Sequence, residues 1–130
     1  MSDEQQPILL VVDDEPLNRD LLRRVLFHDY EILEAEDAVH AQAVLEESGP
    51  VDVLICDHIM PGPSGTDLAA TVRARWPHIV ALLLTGYEDA PEITAARKSG
   101  LIFAVIAKPW VAAQLREVVI LAVAERRRRG

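Results

Sequence analysis

The chain has a single cysteine, Cys56, among its 130 residues. One cysteine cannot form a disulfide within one chain, so a small secreted fold held together by disulfides is excluded. Cys56 follows an apolar run, and we interpret it as a small buried core residue rather than a nucleophile. The histidines have no metal-ligand spacing; they are His28, His40, His58 and His78.

Long apolar segments are also missing. No run approaches the roughly 20 apolar residues of a membrane-spanning helix, and the clean apolar runs, such as residues 79–84, have the length of a strand. Residues 1–7 are polar and acidic and lack the basic segment that begins a signal peptide. We therefore expect a cytoplasmic protein without membrane contact.

Basic residues are scarce in the first half of the chain. The net charge is −8, and residues 1–65 contain 15 acidic residues against three arginines. Residues 66–130 have the opposite balance, with ten basic residues against six acidic ones. An acidic first half disfavours nucleic-acid binding there and suits a cation site.

Five short apolar segments alternate with five longer amphipathic ones. The predicted strands are residues 8–12, 30–34, 51–56, 79–84 and 103–107, and the predicted helices are residues 16–27, 37–47, 66–75, 90–98 and 111–127. Four of the strands are nearly continuous apolar runs, which is typical of a parallel sheet buried on both faces. The more polar strand, residues 30–34, is expected at an edge.

This alternation predicts an α/β fold with helices on both faces of a parallel sheet. Right-handed crossovers and five strands favour the flavodoxin-like (βα)5 arrangement, doubly wound with strand order 2-1-3-4-5. We find neither an internal repeat nor a linker. The sequence therefore predicts a single domain over residues 1–130, with a core of about residues 7–125 and a basic C-terminal tail at 126–130.

Polar residues follow the apolar strands at the end where such sheets bind ligands. Asp13 and Asp14 follow the first strand, Asp57 ends the third, Thr85 follows the fourth and Lys108 follows the fifth. Three carboxylates at close quarters repel one another unless a cation is bound. Carboxylate oxygens without a histidine or cysteine cluster favour Mg²⁺.

This set of side chains suits the transfer of a phosphoryl group. A carboxylate can attack phosphorus to form an aspartyl phosphate, and a metal ion, an ammonium and a hydroxyl can stabilise the oxygens of the transferring group. The chain has no phosphate-cradling Walker loop, so ATP is not the expected donor.

In this order, the motifs resemble the receiver domain of two-component response regulators over essentially the whole chain. The matching segments are Val11-Val12-Asp13-Asp14-Glu15, Asp57 with Met60-Pro61-Gly62 and Gly65, Thr85-Gly86, and Lys108-Pro109. Each motif is weak alone, but the combination at the ends of the predicted strands is specific.

The resemblance implies an acceptor and a metal site. Asp57 would accept the phosphoryl group. Asp14, Asp57 and the backbone carbonyl of Ile59 would ligate Mg²⁺ directly, and Asp13 would contribute through water.

The resemblance also implies a switch. Lys108 would pair with the phosphoryl oxygens, Thr85 would move to bind them, and the peptide bond between Lys108 and Pro109 would be cis. The chain departs from the family at Val105, where many receivers carry Tyr or Phe. The nearest aromatic residue on that strand face is Phe103, so the resemblance does not imply the usual coupling of threonine to an aromatic side chain.

The function implied is that of a phosphorylation switch rather than a turnover enzyme. A histidine kinase or phosphotransfer protein would donate to Asp57. The face built by the fourth strand, fourth helix, fifth strand and fifth helix would then control an output domain or target protein. The domain would dephosphorylate itself and would not bind nucleic acid directly. A homodimer through the same face stays open.

Two other functions were weighed. A phosphatase of the haloacid-dehalogenase type needs a second acid two residues after its nucleophile, where this chain has Ile59, and an insertion that forms a cap. A receiver-like module that accepts no phosphate would have lost an acidic residue or the lysine. The run from Arg126 to Arg129 fits a solvated helix end or a linker better than a nucleic-acid contact.

Overall fold

Strands and helices alternate five times in the computed structural model, which describes residues 6–130. The strands are β1 (Ile8–Val12), β2 (Glu31–Ala35), β3 (Val53–Asp57), β4 (Val80–Thr85) and β5 (Ala104–Ala107). The helices are α1 (Pro16–Leu26), α2 (Ala38–Ser48), α3 (Gly65–Arg75), α4 (Pro91–Lys98) and α5 (Ala112–Arg129). All strands pair in parallel in the order β2-β1-β3-β4-β5. The predicted flavodoxin-like fold is confirmed.

Successive residues of the central strands pack against different helices, because strand side chains alternate between the two faces of a sheet. On one face, Leu9, Val11 and Ile55 belong to a buried layer with side chains of α1 and α5. On the other face, Leu10 and Leu54 pack with α2, α3 and α4. The two layers explain why β3 and β4 are apolar at nearly every position. The more polar β2 lies at an edge, as predicted.

Side chains define several helix ends. Asp37 caps α2, where its carboxylate accepts a hydrogen bond from the His40 amide at 2.8 Å. Ser64 and Asp67 form a reciprocal capping box that starts α3 at Gly65, one residue earlier than predicted. Such caps satisfy amide groups that the first helical turn leaves without partners. Among residues 6–130, no helix has both the length and the apolar character needed to cross a bilayer.

The C-terminal arginines form the end of α5, which extends two residues beyond the predicted end of this helix at residue 127. Arg126 Nε lies 3.4 Å from Asp52 Oδ1, and Arg129 donates a hydrogen bond to the Ile79 carbonyl at 3.2 Å. Asp52 and Ile79 directly precede β3 and β4. The two arginines thus fix the last turn of α5 to the amino-terminal edge of the sheet.

Gly65 lies where the start of α3 meets the end of β3. A Cβ atom at Gly65 would lie 2.7 Å from the Asp57 carbonyl oxygen and 2.9 Å from His58 Cα. Both are backbone atoms, which cannot move aside as the end of a flexible side chain can. The close approach therefore requires glycine at this position.

We expect Gly65→Ala to destabilise the domain by about 1–3 kcal/mol, the usual cost of overpacking. Gly86→Ala is the matched control, because a Cβ at Gly86 meets nothing within 4 Å. Urea unfolding followed by circular dichroism measures both variants. Equal midpoints for the two variants would contradict the packing argument.

Candidate functional site

Asp13 brings a buried carboxylate to the end of β1. The residue is 1% exposed, and its Oδ1 accepts hydrogen bonds from the Glu15 amide at 2.9 Å and from Asn18 Nδ2 at 3.5 Å. Its Oδ2 is buried and has no hydrogen-bond partner within residues 6–130. Burial raises the pKa of Asp13 above its ordinary value, and the charge of Asp57 adds to that effect.

Asp57 is the last residue of β3 and lies between the ends of β1 and β4 in the sheet. Its Cα is paired with that of Leu84, which places Thr85 one residue further along the neighbouring strand. The Lys108 ammonium forms an ion pair and hydrogen bond with Asp57 Oδ1. The only buried acidic residues in the described part of the chain are Asp13 and Asp57.

Three carboxylates meet at this edge of the sheet. One oxygen each from Asp13, Asp14 and Asp57 lies within 4.8 Å of the other two, and Asp14 is exposed. Lys108 supplies one positive charge against three negative ones. The oxygen donors and the unsatisfied Oδ2 of Asp13 fit a hard divalent cation such as Mg²⁺. The structure therefore brings the three predicted acidic residues together.

Thr85 and Lys108 line a cleft together with Asp57. Thr85 is 2% exposed, and its Oγ1 accepts a hydrogen bond from the Tyr87 amide at 3.0 Å. The Lys108 amide donates to the Thr85 carbonyl at 3.0 Å. The threonine hydroxyl is thus hydrogen-bonded to the loop that follows β4, and Thr85 lines the same cleft as Asp57.

The rim of this cleft is apolar. Ile59 and Tyr87 both line it and are 61% and 65% exposed. The side chain of Ile59 offers no acid two residues after Asp57, as a phosphatase of the haloacid-dehalogenase type would require. The role of the Ile59 carbonyl as a metal ligand stays a prediction.

Two further expectations concern β5 and the loop after it. The peptide bond between Lys108 and Pro109 is cis, as predicted. Val105 is partly buried and packs against the core layer on the side of α2, α3 and α4, and Phe103 is 39% exposed at the start of the strand. A small aliphatic side chain, that of Val105, therefore fills this position of the layer.

Sequence reasoning missed Asn18 and Arg19, and it did not predict the partner of His58. Asn18, in the first turn of α1, donates to Asp13, and the Arg19 guanidinium donates to the Asp13 carbonyl at 2.7 Å. His58 is buried and lies 3.4 Å from Glu92 of α4. A polar residue in the first turn of α1 was a usable signal for Asn18, whereas the contact of His58 spans 34 residues and had no local signal.

The sheet order, the acidic cluster and the lysine define a receiver domain. The chain belongs to the response regulator receiver domain family, whose sequence profile matches residues 9–120.

Curated relatives include both long and short proteins. The hydrogenase transcriptional regulatory protein HoxA of Cupriavidus necator is 42% identical over 95% of this chain and 25% of its own length. The chemotaxis protein CheY1 of Helicobacter pylori J99 is 36% identical over 84% of this chain and 90% of its own length. The chain thus spans about a quarter of HoxA and most of CheY1.

Solved structures agree with the assignment. The signal receiver domain of an HD domain-containing protein from Pseudomonas fluorescens superposes with a TM-score of 0.90 at 27% identity, covering 99% of this chain and 95% of that one. The response regulator TrrA of Thermotoga maritima, solved in complex with Mg²⁺ and BeF, has a TM-score of 0.78 at 31% identity and covers 90% and 99% of the two chains.

The buried charge of Asp13 generates a stability prediction. Without a divalent cation, we expect Asp13→Asn to raise the free energy of unfolding at pH 7 by about 1 kcal/mol, at the low end of the gain from replacing buried charges by neutral groups. The amide keeps the acceptor for Glu15 and removes the buried charge and its repulsion of Asp57.

Adding Mg²⁺ should stabilise the wild type more than Asp13→Asn, since ligand binding to the folded state raises stability. Thermal unfolding in EDTA and in Mg²⁺ measures both effects, with Asp29→Asn, at an exposed position in the turn after α1, as the control. A variant less stable than wild type in EDTA would contradict the argument.

Proposed function

We propose that Asp57 accepts a phosphoryl group from a histidine kinase or phosphotransfer protein in the presence of Mg²⁺. The observation that carries the proposal is the pairing of Asp57 with Lys108 in a cleft that also contains Thr85, beside two further carboxylates. A nucleophile, a cation for the phosphoryl oxygens and a metal site are then present at one edge of the sheet.

The proposed reaction is a displacement at phosphorus. A carboxylate oxygen of Asp57 forms the new bond to phosphorus while the bond from phosphorus to the donor imidazole nitrogen breaks. The donor ring, protonated on its other nitrogen, takes that electron pair and leaves as neutral imidazole. Asp13, Asp14 and Asp57 would hold a Mg²⁺ ion, which would supply positive charge beside the phosphoryl oxygens. Lys108 exchanges part of its contact with Asp57 for a contact with the transferred group.

Thr85 would report the arrival of the phosphoryl group. Its hydroxyl now accepts from the Tyr87 amide, and a hydrogen bond to a phosphoryl oxygen requires the hydroxyl to turn toward Asp57. The loop that joins β4 to α4 would lose one of its internal bonds in the process. We propose that this change alters the face formed by β4, α4, β5 and α5.

Exposed apolar residues beside the site suit a docked phosphodonor. Leu17 and Leu21 of α1 are 67% and 43% exposed. Leu21 lines a cleft of about 500 Å³ with Asp13, Lys108 and Trp110. A partner helix that covered Leu17 and Leu21 would bring its phosphorylated histidine close to the acidic residues.

The longer relatives contain a large region beyond the segment that matches this chain, and we propose that the output of the switch resides in such a region or in a separate partner. Receiver domains are signalling domains and generally not turnover enzymes. HoxA is a transcriptional regulatory protein about four times as long as the segment it shares with this chain. We propose that the switched face acts on an output domain, a target protein or a second copy of this chain.

We expect incubation with acetyl phosphate and Mg²⁺ to add one phosphoryl group to the wild type, as measured by intact mass. The gain should disappear in Asp57→Ala and when EDTA replaces Mg²⁺. Asp89→Ala, which removes an exposed acid near α4, should be phosphorylated like the wild type. A gain that persists in Asp57→Ala, or a wild type that gains nothing and also fails to bind beryllofluoride, would overturn the proposal.

The apolar rim predicts a slow loss of the phosphoryl group. We expect Ile59→Asn to speed hydrolysis about five-fold, because one added hydrogen bond to the attacking water, worth about 1 kcal/mol, lowers the barrier by that factor. Decay of the phosphorylated mass after removal of acetyl phosphate measures the rate. Val39→Asn, at an exposed position of α2, is the control. Equal decay rates in the two variants would contradict the prediction that the side chain at position 59 controls the attack of water.

A further inference from the structure

His58 directly follows the proposed phosphoacceptor, and its backbone is held on two sides. Its amide donates to the Leu84 carbonyl of β4 at 3.1 Å, and its carbonyl accepts from the Gly65 amide of α3 at 2.8 Å. A Cβ on Gly65 would also touch His58 Cα. The backbone of His58 is therefore fixed between β4 and the start of α3.

The side chain of His58 reaches α4 instead. The residue is 6% exposed, and its Nε2 lies 3.4 Å from Oε2 of Glu92 in the first turn of that helix. Its Nδ1 is buried and unpartnered within the described residues. A neutral ring suffices for the contact, since Nε2–H can donate to the carboxylate.

The first turn of α4 is also connected to Thr85. The Tyr87 amide donates to Thr85 Oγ1, the Ala90 amide donates to the Tyr87 carbonyl at 3.0 Å, and the Ile93 amide donates to the Ala90 carbonyl at 3.0 Å. A change at the Thr85 hydroxyl therefore reaches the helix through three successive hydrogen bonds. The beginning of α4 is thus connected to both Thr85 and His58.

We propose that the contact between His58 and Glu92 is a latch that holds α4 in its unphosphorylated position, an inference that rests on the proposed function. When the Thr85 hydroxyl turns toward the phosphoryl group, the segment before α4 shifts with it. His58 stays in place, because β4 and α3 hold its backbone, so the latch opens. His58 is a positioning residue and does not touch the reacting atoms.

The latch supplies a connection that Val105 does not. The resemblance to receivers implies that an aromatic ring at that position on β5 would rotate as the threonine moves. Val105 has no ring to rotate, and it packs into the layer beside α4. The latch joins the end of β3 to α4 directly, without passing through β5.

Breaking the latch should favour the phosphorylated conformation, since the contact stabilises only the other state. We expect Glu92→Gln, which keeps an acceptor for Nε2–H but replaces the charged oxygen by a weaker neutral one, to bind beryllofluoride about two-fold more tightly than wild type at saturating Mg²⁺. Isothermal titration calorimetry measures the affinity. Because the side chain of Glu92 is exposed, we expect Glu92→Gln to fold normally, so a change in its affinity does not reflect misfolding.

The control removes an equal charge without touching the latch. Glu88→Gln lies in the same loop region and is exposed, so it reports the general effect of one fewer negative charge on the binding of an anion. In a His58→Ala background, which has no donor for residue 92, adding Glu92→Gln should have no more effect than Glu88→Gln has in the wild type. This double-variant cycle isolates the pair.

The outcomes separate the two proposals. Tighter binding by Glu92→Gln than by Glu88→Gln, with the difference lost in the His58→Ala background, supports the latch. Equal or weaker binding by Glu92→Gln, with a wild type that binds normally, overturns the latch alone. A wild type that binds no beryllofluoride overturns the proposed function, and the latch with it.

Discussion

The repulsion among three carboxylates at one edge of the sheet is the constraint on which the rest of the structure depends. Asp13 and Asp57 are buried, and Lys108 is the only basic side chain paired with this group within the described residues. The sheet gains nothing from such crowding, so its stability has to come from the apolar layers on its two faces. The same repulsion prepares the site for positive charge, because a bound cation removes a strain that the folded chain already contains.

Much of the fold and the centre of the site followed from local patterns. Apolar runs separated by amphipathic segments predict parallel strands with crossover helices, and the end of each strand then specifies which residues meet. This logic predicts that Asp13, Asp57 and Lys108 lie close together. It needs no distance between side chains, since the order of the strands determines which ends are neighbours.

The contacts that escaped prediction depend on side-chain reach across distant parts of the chain. Arg129 donates to a carbonyl 50 residues earlier, and His58 meets Glu92 across 34 residues. An arginine run reads as a solvated helix end, because the sequence does not show that the edge of the sheet lies within reach. A histidine after an aspartate is likewise uninformative until the position of α4 is known. The capping box of Ser64 and Asp67 was a local signal that we overlooked.

The anchored end of α5 has a mechanical consequence. Arg126 and Arg129 hold its last turn to the amino-terminal edge of the sheet, while its first turn begins just after Lys108 at the opposite edge. Sliding the 18-residue helix along its axis would break both contacts, whereas tilting it about its last turn would keep them. We therefore expect a displacement that starts beside Lys108 to tilt α5, with the largest movement near Ala112 and the smallest near Arg129. We expect a partner that senses this helix to read an angle rather than a shift.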